Sequence, residues 1–143
     1  MKFLFGASTA LLLIGSLVFQ SCSQSSPSEP VLSDKFSDIQ KRLITPTCGV
    51  SGCHAGDFPS ALLDLSADSA YKSLMTHELQ NSVAIEKYRA LVVPGKPDSS
   101  FLYIKITNPA SGEGDRMPQR LDKLPQNEID AIRSWISRGA PND

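Results

Sequence analysis

Seven consecutive residues, Cys48-Gly49-Val50-Ser51-Gly52-Cys53-His54, bring two thiols and an imidazole together on a short stretch of chain. Three chemistries use such a segment, and each requires the fold to hold these groups at one spot. In an exported protein the two thiols could simply join in a disulfide, with His54 a bystander. Cys48, Cys53, His54 and His77 also form a chemically suitable set of four zinc ligands, although exported thiols are seldom kept for structural zinc.

The third chemistry is covalent haem attachment, whose usual signal is Cys-x-x-Cys-His. Two thiols add to the two vinyl groups of the macrocycle, and the adjacent imidazole reaches the iron from the same side. Here the spacer is four residues rather than two, so it must loop out to keep the sulfurs at the same positions. Gly49 and Gly52 permit the backbone conformations for that. His54 would then be the proximal iron ligand through one ring nitrogen. The other nitrogen would donate to a backbone carbonyl that fixes the ring, with Pro59 or Phe58 as candidates.

A second feature far downstream bears on the choice. Gly114-Asp115-Arg116-Met117-Pro118 places a methionine in a polar loop, where packing gives little reason for one. A thioether is a soft ligand, and Met/His ligation raises the reduction potential of a haem iron. Pro118 would stiffen the loop and help hold the sulfur. The plain alternative is that Met117 caps the core against a neighbouring helix. Met75 sits in a helix-like stretch and reads as packing, and His77 is the alternative sixth ligand.

The amino-terminal end places this chemistry in a compartment. Lys2 precedes an apolar run through Leu11-Leu12-Leu13-Ile14 to Leu17-Val18-Phe19, the layout of a secretory signal over residues 1–21. Gly6, Ser8, Thr9, Gly15 and Ser16 interrupt the run, which falls short of the roughly 20 apolar residues that a membrane-spanning helix needs. Phe19-Gln20-Ser21-Cys22 resembles a relaxed bacterial lipobox, in which the cysteine takes the lipid and becomes the mature amino terminus. Ordinary signal cleavage, leaving Cys22 a free thiol, is the alternative. Residues 22–32, rich in serine and proline, are a flexible tether.

About 120 residues remain after cleavage, enough for one domain with one modest core, over residues 33–143. The formal charge of −1 loses only Lys2 with the signal, which leaves −2. No basic stripe or basic-aromatic cluster is present, so nucleic acid is not expected as a partner.

The pattern of apolar residues is helical. Ser33 or Asp34 caps a helix with Phe36, Ile39 and Leu43 on one face, ending before Pro46. Leu62-Leu63-Asp64-Leu65 reads as extended chain leading to Ser66, the N-cap of a helix containing Ala70, Tyr71 and Leu74. Leu91-Val92-Val93 runs into the turn Pro94-Gly95-Lys96-Pro97, after which Asp98 or Ser99 caps a short helix with Phe101, Leu102, Ile104 and Lys105. Val92 and Val93 could form a short strand but have no partner run. The last helix begins near Pro125, carries Glu128 in its first turn, presents Ile129, Ile132, Trp135 and Ile136 on one face and stops at Gly139. An all-α domain with long loops is the expectation, its first and last helices packing on each other.

Taken together these pieces resemble small monohaem c-type cytochrome domains, including the planctomycete type, found in exported bacterial proteins and lipoproteins. The resemblance rests on Cys48 to His54, Leu63-Asp64-Leu65-Ser66, Val92-Val93-Pro94-Gly95-Lys96-Pro97, Ser100-Phe101-Leu102-Tyr103, Arg116-Met117-Pro118, and Ile132 through Trp135-Ile136 to Gly139-Ala140-Pro141. It runs in order from about residue 36 to the end. The four-residue spacer is its departure from the usual motif.

The resemblance implies a cytochrome c-like fold holding one covalent haem c on Cys48 and Cys53. It implies His54 as proximal and Met117 as distal iron ligand, with the first and last helices crossing and the 92–97 turn walling the pocket. Arg89, Lys96, Arg116 and Arg120 are available to meet the propionates. With both axial positions filled the expected work is one-electron transfer rather than catalysis, so the chain is not expected to be an enzyme and no small-molecule substrate is expected. Partners would be redox proteins of the bacterial cell envelope, periplasmic or associated with the outer membrane, met while a lipid anchor holds the domain at the membrane. Two other readings stay open: a haem-bearing or haem-free binding or sensor module, and a disulfide-stapled interaction domain.

Overall fold

The computed structural model describes residues 31–143. The expected signal over residues 1–21, Cys22 and nearly all of the tether lie outside the described residues. Leu32, assigned to the tether, packs in the core, so the folded unit takes in at least that residue.

The described residues are helical, joined by long loops, and contain no strand; Ala90 and Ser100 make only an isolated bridge. Helix α1 begins with α geometry over Phe36–Ile39 and widens into a π-helix over Gln40–Cys48. It therefore runs through Pro46, past the expected stop. The wider turn bonds each amide five residues back, as in Gly49 N–H to the Ile44 carbonyl at 2.8 Å. Pro46 forfeits one such bond without ending the helix. The N-cap also differs from expectation. Lys35 occupies it with no side-chain bond, and Asp143 accepts from the Phe36 amide through Oδ1 (2.9 Å) and from the Ser37 amide through its main-chain oxygen (2.8 Å). Arg138 completes the junction on Asp34 and Asp143.

Helix α2 spans Ala70–Thr76. It opens with a turn in which Ser66 O accepts from the Ser69 and Ala70 amides, so Ser66 starts the turn and Ser69 stands at the cap. Helix α3, Ser82–Lys87, is a helix that apolar spacing does not announce. Its signal is Asn81, whose Oδ1 accepts from the Ala84 amide at 2.8 Å. A 3-10 turn at Pro97–Ser99 precedes α4, Phe101–Thr107, with Ser100 as N-cap in place of Asp98 or Ser99. Helix α5, Gln126–Ser137, follows Pro125 and ends in a Schellman motif, with Gly139 N–H on Ile136 O and Ala140 N–H on Trp135 O, both 3.0 Å.

The core lies between α1 and α5. Phe36, Ile39 and Leu43 from α1 meet Ile129, Ile132, Trp135 and Ile136 from α5 in one cluster. The Phe36 ring stands 5.0 Å from Tyr71 and 5.1 Å from Trp135 between centroids. Trp135 is completely buried, and its Nε1–H donates to Pro141 O at 2.8 Å, which satisfies the indole's one polar atom. The 92–97 turn docks on the end of α5 through Gly95 N–H to Ile136 O (2.7 Å). Buried Ser100 fastens it, accepting from Val93 N–H and donating to Lys96 O.

Candidate functional site

Helix α1 delivers Cys48 to the edge of the core, where the thiol is half-buried and packs against the apolar cluster. Burial, then the nearby Cys53 and Glu128, pushes its pKa from the ordinary 9.0 up to about 11. Cys53 is exposed, and both thiols are free. The four-residue spacer is folded as a tight loop, with Cys53 N–H on Val50 O at 3.0 Å and His54 N–H on Cys48 O at 3.1 Å. The main chain of Cys48, Cys53 and His54 is thereby held in one loop, while the side chains are not gathered as a set of metal ligands.

The two spacer glycines serve different needs. Gly52 has φ +81, a conformation that side chains resist. Gly49 has φ −82, and what it requires is room. A Cβ there would overlap the Leu65 carbonyl oxygen and stand 2.9 Å from its carbon. Leu65 in turn donates its amide to His54 O at 2.7 Å, so the 63–65 segment is stitched to the motif on both sides. Leu63 and Leu65 are buried there, while Leu62 belongs to the 3-10 turn Ser60–Leu62 with φ +58 and is exposed, rather than extending the segment.

The His54 ring is held by a different carbonyl from those expected. Its Nδ1 lies 3.1 Å from Ser60 O, beyond Phe58 and Pro59. A carbonyl can only accept, so Nδ1 is the donor in this contact. Ser60 itself is fixed by its amide on Cys53 O at 2.7 Å.

His77 meets the same turn one residue further on. Its Nε2 meets Ala61 O at 3.0 Å, so that nitrogen is already committed to the backbone. His77 also lines an open polar groove of about 720 Å³ with Asp68, Ser69, Lys72, Thr76 and Gln80; neither the thiols nor His54 line it. Among the described residues no three His, Cys, Asp or Glu side chains are gathered as metal ligands, which leaves the four-ligand zinc set unassembled.

Met117 is partly buried and packs against the same apolar cluster as Cys48, as does Met75. Its amide donates to Lys105 O on α4 at 2.7 Å, and its peptide bond to Pro118 is cis. Arg89, Lys96 and Arg120 are exposed; Arg116 is half-buried, with Nη1 3.5 Å from Met117 O.

One polar residue here escaped the reading of the sequence. Glu113 is buried at 1% exposure and accepts from Lys87 Nζ (2.9 Å), Tyr88 OH (3.1 Å) and the Ala110 amide (2.6 Å). The Lys87 hydrogen bond and the Ala110 amide hold its carboxyl below the usual carboxylate range. Its trace in the sequence is a carboxylate flanked by glycines, Gly112-Glu113-Gly114, just before the methionine.

No protein family, no curated protein and no solved structure matches the chain.

Proposed function

We propose that the chain is an exported, lipid-anchored c-type cytochrome domain that carries one haem and passes single electrons between redox proteins of the bacterial envelope. The observation that carries this reading is the His54 ring, held through Nδ1 on Ser60 O beside two free thiols. That hydrogen bond sets the tautomer, aims Nε2 and raises its basicity, which is what a proximal ligand requires. The donor set suits the group: Cys48 and Cys53 would hold it through their sulfurs, and His54 Nε2 and Met117 Sδ would hold its iron. Bound haem would supply a one-electron iron couple. The chain's own contribution is to fix the imidazole, to present Cys53 to solvent and to hold Cys48 against the apolar core, where burial raises the cost of charge. No helix among the described residues is long and apolar enough to cross a membrane. In this reading Cys22 carries the lipid that holds the domain at the membrane.

Expression with c-type maturation machinery, followed by denaturing electrophoresis with a haem stain and a reduced-minus-oxidised visible spectrum, tests the proposal. A polypeptide that keeps no haem after denaturation refutes it. Cys48→Ala should leave at most one thioether, and Met117→Ala should abolish the weak far-red band of a methionine bound to ferric iron. Incorporation of labelled fatty acid that disappears in Cys22→Ser tests the anchor.

A second reading follows from the same pair of cysteines. Both thiols are free and lie on one short loop, so with no haem bound an oxidant of the export compartment would take two electrons and two protons from Cys48 and Cys53 and join them as a disulfide, leaving a stapled interaction domain. A two-proton mass loss between reduced and non-reduced chain, with no haem stain, would establish that alternative.

A further inference from the structure

We propose that Glu113 is the residue that positions Met117 as an iron ligand, by clamping the loop that carries it; the inference rests on the haem reading above. The loop between α4 and α5 runs from Asn108 to Pro125 without regular structure, and a loop of that length is costly to hold in one conformation. A sulfur on such a loop would be a poor ligand unless the loop were pinned close to it. The pinning is on two sides. From α3 and the residue after it, Lys87 and Tyr88 reach the Glu113 carboxylate, and Asn81 Nδ2 donates to Gly112 O at 3.0 Å. From α4, Lys105 Nζ donates to Glu113 O at 3.1 Å and to Asp115 O, while the Lys105 carbonyl receives the Met117 amide at 2.7 Å.

Glu113 and Met117 are thus referred to the same residue, one through its ammonium and one through its main chain. A carboxylate at 1% exposure is expensive to desolvate, and general solubility or loop polarity does not require one there. Its three donors converge from Lys87, Tyr88 and Ala110, so it acts as the keystone of the loop. Glu113 touches neither iron nor haem in this scheme. It acts through the 113–117 segment.

A positioning role and a general stabilising role predict different measurements. If the clamp sets where the sulfur stands, loosening it raises the fraction of iron whose sixth position is open. An added ligand then binds more tightly in proportion, because apparent affinity scales with the competent fraction. The full chain is matured with haem as the parent and as Glu113→Gln, Lys87→Met and Tyr88→Phe, and imidazole is titrated into the ferric form. The expectation is roughly tenfold tighter imidazole binding in Glu113→Gln, a smaller gain in Lys87→Met and the least in Tyr88→Phe. The far-red methionine band should weaken in the same order. Far-UV circular dichroism should stay constant, and hydrogen exchange should quicken at residues 110–117 but not in α5.

Unchanged imidazole affinity and an unchanged band in all three haem-loaded variants would overturn the proposal while leaving the haem reading intact. Absence of haem from the parent chain would remove both. Should Glu113→Gln alone fail to fold, Lys87→Met and Tyr88→Phe decide by the same criterion, since each keeps the carboxylate and removes one of its donors.

Discussion

The raised pKa of Cys48 predicts a kinetic difference large enough to measure on the haem-free chain. A shift from 9.0 to about 11 leaves roughly a hundredfold less thiolate at any pH below 9. The thiolate that does form is the more nucleophilic one. With a Brønsted coefficient of about 0.4–0.5, two units of basicity return a factor of roughly six to ten. Ionisation alone should therefore slow attack on a small disulfide reagent roughly tenfold, and restricted access to the half-buried sulfur can only add to that. The assay compares a Cys22→Ser/Cys53→Ser chain, whose one remaining thiol is Cys48, in native buffer and in denaturant. Removing Cys53 also removes its charge, but burial is the largest cause and stays. At pH 8 the native rate should be about a tenth of the denatured rate or less. From pH 9 towards 11 the denatured thiol is already ionised while the native one is still ionising, so the ratio should climb. A ratio near one at pH 8, or one flat from 9 to 11, would refute the burial of Cys48. The stability linkage has the matching sign: a pKa raised on folding stabilises fully below 9, and that contribution is lost as pH rises through about 11.

Three further outcomes are expected. Gly49→Ala forces a methyl into the Leu65 carbonyl and should cost about 1–3 kcal/mol in chemical denaturation, whereas Gly52→Ala meets only its left-handed backbone and should cost about 1–2 kcal/mol. Acidification should release the start of α1. The Phe36 amide holds the Asp143 carboxyl below its ordinary 3.8, so the stabilisation is present above that value and lost as pH falls through the depressed one; the Phe36 amide shift, followed by NMR below pH 4, reports it. Trp135→Phe removes the bond to Pro141 O and part of the core volume, and should lower stability by about 1–3 kcal/mol in thermal unfolding followed by circular dichroism.

What could be read from the sequence divides along a physical line. Helix α5 was legible in full because its signals are local: Pro125 before the first turn, an apolar face at three- and four-residue spacing and Gly139 beyond the end. The spacing of Cys48, Cys53 and His54 was likewise local. The packing of α1 on α5 was legible from their apolar faces, but features set by particular polar or close contacts between distant residues were not. Asp143 caps α1 from 107 residues away, and no pattern near Ser33 or Asp34 could disclose that the cap would be supplied there. Pro46 read as a stop because the residue before proline avoids α geometry, yet the chain runs on through it as a π-helix to Cys48. Gly49 was credited with unusual backbone angles when its true requirement is the approach of Leu65, another contact between distant segments. Glu113 went unnoticed because a glutamate in a polar loop is ordinarily solvated, and only the fold reveals the donors that converge on it.

The attachments of the motif differ from residue to residue, and the difference has a direction. Cys48 is tied to the core through α1, whose opposite end carries Phe36 against Trp135, so the docking of α1 on α5 also places the first thiol. His54 is bound through its own amide to Cys48 O, through its carbonyl to the Leu65 amide and through its ring to Ser60 O. Its position is therefore determined from three sides. Cys53, between them, is exposed, and its main-chain bonds to Val50 and Ser60 are confined to the loop. A chain built this way presents one accessible nucleophile beside a prearranged imidazole and keeps its second thiol neutral against the core. Reagents should find Cys53 first, and whatever they attach there arrives already beside His54. On the haem reading the more exposed Cys53 would be the thiol attached first and Cys48 the second. A maturation intermediate carrying a single thioether would therefore be held at Cys53, and peptide mapping of partially loaded chain that found it at Cys48 would contradict the order.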